Sequence, residues 1–171
     1  MISIPYFKQI AKSNAKFLGV FTLVLCVFLI VMTNVFTPET INGFQSATKG
    51  TAVSHIMEGN GTLIGFMSNS FYAIMAIIFP MVYSIMVGNR MIAEKVDKGN
   101  MAGFLSTPTT RLQITVSSAV YFVLSLALMW GISSIVGIIA ANTFQPDALD
   151  IDTFLLLNLG AFLYHLVISS I

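Results

Sequence analysis

Charge is what this sequence has least of. Only 9% of its 171 residues are Asp, Glu, Lys or Arg, against about 25% in an ordinary soluble domain. The apolar residues, 56% of the chain, come in uninterrupted blocks of membrane-helix length. A chain with so little polar surface is read as an integral membrane protein, all-α and polytopic. Its net charge of +1 offers no basic excess for nucleic acid. The single cysteine, Cys26, excludes an internal disulfide and any Cys-based metal site; inside an apolar block it reads as a small filler. No G-x-x-x-x-G-K-[ST] phosphate loop occurs, so ATP hydrolysis has no place in this chain. No carboxylate falls within a span, which removes a Ser/His/Asp arrangement. His55 and His165 stand alone, without an acidic neighbour at ligand spacing, so no metal site is expected.

What is present reads in order. In residues 1–16, Lys8, Lys12 and Lys16 recur every four residues on one helical face, with Ile4, Phe7, Ile10 and Ala11 on another. That spacing predicts an amphipathic helix lying in the membrane interface, its lysines toward anionic headgroups. Basic residues before an apolar run also open secretory signals. Here no small-x-small cleavage site follows promptly and the run is long enough to cross, so a retained helix is expected.

The first span, 17–36, ends ahead of Pro38. Residues 37–61 form a polar outer loop with room for short helical pieces. The second span, 62–87, carries Asn69, Ser70 and Tyr72 early and Pro80 late. That proline frees a carbonyl one turn back, near Ala76, and favours a kink. The third span, 112–141, contains Ser117, Ser118, Ser125, Gly131, Ser133, Ser134 and Gly137. Such small residues let helices approach closely in lipid. Trp130 lies near its middle, away from either interface. A short acidic loop, 142–152, leads to a fourth span, 153–171, with just enough length to cross. Asn69, Ser70, Ser133, Ser134 and His165 are the polar side chains placed to line a pathway or to hold helices together. His165 also suits a side chain snorkelling toward the inner interface.

Lys and Arg set the orientation. They occur in the N-terminal segment, at Lys49, at Arg90, Lys95, Lys98 and Arg111, and not at all in 142–152. The N-terminus and the 88–111 loop are therefore expected in the cytoplasm, with both chain ends inside.

That loop, GNRMIAEKVDKGNMAGFLSTPTTR, is the one long polar interruption between the two most hydrophobic halves. Met91, Ile92 and Val96 share one face of a short helix, while Glu94 and Lys98 pair on the other. Gly99-Asn100 is a stop signal. Met101, Phe104 and Leu105 form a second apolar group, and Thr107-Pro108 has the form of an N-cap with proline at the first helical position. Such a loop docks a cytoplasmic partner or only fixes topology; its residues leave both open.

The run AEKVDKGNMAGFLSTPTTRLQI resembles the cytoplasmic loop of ABC-2 type transporter permeases. Glu94, Gly99, Leu105, Ser106, Pro108, Arg111 and Ile114 stand in the places of that family's pattern. The resemblance implies a multi-pass subunit of an ATP-driven exporter in a bacterial cell membrane. It implies a coupling helix, with Arg90, Ile92, Glu94, Val96, Gly99, Phe104, Leu105, Pro108 and Arg111 presented to a separate ATPase subunit that holds ATP and Mg. The chain itself would hold no cofactor. A second permease subunit would complete the pathway for an amphiphilic substrate, and residues 1–16 would be the elbow helix. Members typically have six spans, so four imply either an N-terminal portion, the expected case, or an unusually short member. A different class also fits the residues: a non-transporting scaffold or immunity protein whose loop recruits a partner.

Overall fold

A computed structural model of the protein describes residues 3–51, 62–91 and 111–169. Among the described residues the regular secondary structure is all helical, and four helices are long and apolar enough to cross a membrane.

Helix α1 is Ile4–Val35, 32 residues without a break. Pro5 sits in its first turn, where a missing N–H costs nothing. At about 1.5 Å per residue the helix extends about 48 Å, well beyond a hydrocarbon core of about 30 Å. The expected boundary between an interfacial helix and a first span is therefore absent at Lys16–Phe17. The reason is a single buried stripe that runs the whole length: Tyr6, Ile10, Asn14, Thr22, Leu25, Leu29 and Thr33. Lys8, Lys12 and Lys16 are exposed. Ile4, grouped with Ile10 on the sequence's apolar face, is 76% exposed, because packing against protein rather than lipid selects the Tyr6–Ile10–Asn14 side.

Helix α2, Pro38–Thr48, occupies part of the connection between the first two long helices, with Thr37 as N-cap accepting from the Thr40 N–H and Ile41 buried. Helix α3, Leu63–Met91, opens on a Thr62 cap. It widens into π-helical turns over Ser68–Met75 and resumes α geometry at Ala76. The irregularity ends where the sequence places the carbonyl that Pro80 leaves without its N–H donor. The helix runs past residue 87 to Met91, where the described residues stop, and carries Arg90 near that end.

Helix α4 is Arg111–Phe144, longer than the expected 112–141. Thr143 lies in its last turn, with its hydroxyl donating to the Ile139 carbonyl at 2.7 Å. Helix α5 is Ile151–Ser169 and begins two residues before the expected 153, because Asp150 serves as its N-cap. The Asp150 carboxylate accepts from the Thr153 hydroxyl at 2.6 Å and from the Thr153 N–H at 3.5 Å. These bonds hold it below the usual carboxylate range. Its stabilisation is then complete above the ordinary aspartate value of about 3.9 and fades as acid protonates the folded form. Asp150→Asn keeps a cap acceptor but loses this acid dependence, so melting curves of variant and wild type should draw together as pH falls.

Helix α1 packs along α4, and α3 and α5 close the bundle. Aromatic rings fill the interior, including Phe21 against Tyr83, Phe28 against Phe79, and Tyr72 stacked on Trp130 with centroids 6.5 Å apart. The sequence's reading of Gly137 as a close-approach residue holds in detail: a Cβ there would overlap the Phe154 ring. Asn14, Thr33, Ser134 and Asn158 each donate to the carbonyl four residues back, which keeps polar side chains affordable among apolar neighbours.

Candidate functional site

Two places gather chemistry. The first is where segment 92–110 joins the bundle. Ile92, Glu94, Val96, Gly99, Phe104, Leu105 and Pro108 lie outside the described residues, as does the Thr107–Pro108 cap. The roots on either side are described. At the end of α3, an Arg90 Nη donates to the Ser13 hydroxyl at 3.4 Å, and the guanidinium lies 4.6 Å from the centre of the Phe17 ring. Cation–π contacts at exposed sites contribute about 0.5–1 kcal/mol. Near the start of α4, which Arg111 opens, the Ser3 N–H donates to the Ser117 hydroxyl at 3.0 Å. The Tyr6 and Ser118 hydroxyls meet at 3.4 Å, and Phe7 stands edge-on to Tyr121. Ser3 and the first turns of α1, to Phe17, thus contact the described residues on both sides of one segment.

The second place is where α3, α4 and α5 meet inside the spans. The buried residues of α5 are Phe154, Asn158 and His165, while Leu156, Leu159 and Leu163 face outward. The polar stripe of α5 is turned inward, as expected of polar side chains in a span. His165 is fully buried. Its Nδ1 lies 2.7 Å from the Ala161 carbonyl and its Nε2 3.3 Å from the Ile77 carbonyl on α3. Its ring is 5.8 Å from that of Trp130, and one turn on the Ser84 and Ser169 hydroxyls meet at 3.2 Å across α3 and α5. The Tyr72 hydroxyl faces the Asn158 side chain without forming a close bond. The Trp130 indole N–H and Asn158 Oδ1 also lack hydrogen-bond partners.

Two cavities flank α5. One, about 330 Å³, lies between α3 and α5 beside Tyr72, Ile77, Gly160, Tyr164 and His165. The other, about 320 Å³, lies between α4 and α5 beside Trp130, Ser134 and Asn158.

Of the residues singled out from sequence, His165 and Ser134 come to this junction. Ser133 is buried on α4 and directed toward Cys26 of α1. Asn69 and Ser70 sit in the π-helical turns and border neither cavity. Tyr72, Trp130 and Asn158 were not singled out as site residues. The available signal was the seven-residue spacing of Asn158 and His165, two turns apart on one helical face. No group of three potential metal ligands exists among the described residues. Comparison with protein-family models, curated proteins and solved structures finds no match.

Proposed function

We propose that the chain is a membrane-spanning subunit of an ATP-driven exporter of the ABC-2 type, coupling a separate ATPase to outward movement of an amphiphilic substrate. The observation that carries this reading is the clasp at the loop roots. The described residues that flank 92–110 contact the same N-terminal stretch, Arg90 through Ser13 and Phe17, and Ser117 and Ser118 through Ser3 and Tyr6. A push on the loop from a cytoplasmic ATPase would therefore reach α1, α3 and α4 together. The loop's Glu94–Gly99–Pro108–Arg111 pattern supports the same partner. ATP and Mg belong to the ATPase, and a second permease subunit, identical or homologous, completes the assembly.

In this reading the N-terminus and the loop face the cytoplasm of a bacterial cell, as the Lys and Arg distribution favours. The first turns of α1 carry Lys8, Lys12 and Lys16 along the inner interface, where each basic residue near an anionic leaflet contributes about 1 kcal/mol. Glu94→Arg and Gly99→Pro should each abolish the chain's effect on ATP hydrolysis by the associated ATPase, while membrane insertion is unchanged. Hydrolysis that responds to both variants as to wild type would remove the coupling role.

A further inference from the structure

The cavity between α4 and α5 has an apolar mouth and a polar inner wall. At the mouth, Ala127 and Gly131 of α4 and Leu155 and Leu159 of α5 are exposed, on the surface that lipid covers in a membrane. On the inner wall stand Trp130 and Asn158, each only 3% exposed. The Asn158 NH₂ is committed to the Phe154 carbonyl at 2.9 Å, which leaves Oδ1 as the free end of the amide. The Tyr72 hydroxyl faces Asn158 from α3 without closing a bond to it. The Trp130 indole N–H is unpaired as well. One donor and one acceptor are thus left over, and a single hydroxyl group satisfies both, since it accepts one hydrogen bond while donating another. We propose that this cavity holds the headgroup of an uncharged, hydroxyl-bearing lipid of the monoacylglycerol type, which enters sideways between α4 and α5 and leaves its acyl chain along Leu155 and Leu159. The inference does not depend on an exporter role.

Charge and size set the class. No Asp, Glu, Lys or Arg occurs in 62–89, 112–146 or 153–171, so a phosphate or ammonium headgroup finds no counter-charge among these spans. A neutral hydroxyl needs none. The cavity measures about 320 Å³, at the small end of the roughly 300–1,000 Å³ of ligand sites. A small headgroup fits, and the chain stays in the bilayer. Nothing lies within 4 Å of a Cβ built on Gly131, so the mouth is open on the α4 side. A water molecule makes the same two hydrogen bonds, and the experiment separates the two occupants.

Trp130 is the sole tryptophan and borders the cavity, so its emission reports what enters. Bromine on an acyl chain quenches indole by contact. In phosphatidylcholine nanodiscs, a monoacylglycerol with a brominated chain should quench Trp130 saturably while still a minor component. Phosphatidylcholine carrying the same brominated chain, at equal bromine content, should quench weakly and without saturation. Gly131→Leu fills the mouth without a clash and should abolish the saturable component. Asn158→Leu removes the acceptor and should raise the half-quenching concentration about tenfold. Gly160→Leu, which borders the cavity on the other side of α5 and also meets nothing within 4 Å, should leave quenching as in the wild type. Equal quenching by the two lipids would mean a cavity holding water or ordinary bilayer chains, and would overturn the proposal. So would saturable quenching that survives Gly131→Leu at wild-type affinity.

Discussion

Replacing Gly137 with leucine should separate α4 from α5 and lower the melting temperature more than any lipid-facing substitution. The Phe154 ring occupies the space that a Cβ at residue 137 would take, and Phe154 is itself fully buried with Tyr72 edge-on at 6.4 Å. The ring has little room to retreat. Overpacking a filled interior costs about 1–3 kcal/mol in water-soluble proteins. Inside a bilayer no hydrophobic gain offsets it, because lipid tails are as apolar as leucine. Gly131, six residues earlier on the same helix, is the control. Nothing lies within 4 Å of a Cβ there, so Gly131→Leu should be close to neutral. Adding Phe154→Ala to Gly137→Leu should recover part of the loss. Thermal unfolding in nanodiscs separates the three cases, and equal effects at 131 and 137 would contradict the packing argument.

The second large effect is expected at Gln145. Its side-chain NH₂ donates to the Thr33 carbonyl at 2.7 Å and to the Phe36 carbonyl at 3.1 Å, closing the C-terminal end of α1 against the end of α4. Helix C-termini leave carbonyls without intrahelical donors, and Gln145 is buried at 8% exposure. Gln145→Leu withdraws both bonds, at about 1–3 kcal/mol for a buried group left unpaired. Gln145→Glu should be worse, since an ionised carboxylate only accepts and would face two acceptors. The order wild type, Leu, Glu in melting temperature checks the claim; a glutamate variant as stable as wild type would refute it.

The spans were legible because an apolar block of twenty residues has few alternatives. Their ends were less so. Asp150 caps its helix by local hydrogen bonds that hydropathy does not register. The join at Lys16–Phe17 was misplaced for a different reason. The lysine periodicity describes the exposed face correctly, but continuity is set by Tyr6, Ile10 and Asn14 packing on protein, which one segment's pattern does not reveal. Gly137 was readable as a small residue, yet only the bundle identifies Phe154 as its partner. At the intramembrane junction, His165 stood out as the one histidine in a span. Tyr72, Trp130 and Asn158 did not, because their common neighbourhood arises from three helices distant in sequence. Gln145 carried no signal either; it looked like one more polar loop residue until α1 ended beside it.

The central claim is that 92–110 engages an ATPase and passes its motion to α1. The most direct measurement is purification of the affinity-tagged chain from its native membranes in mild detergent, with mass spectrometry of what accompanies it. The account predicts a nucleotide-binding ATPase in stoichiometric amount, lost on Glu94→Arg and retained on His165→Gln. Absence of any ATPase, or one that stays bound to the Glu94→Arg chain, would contradict it.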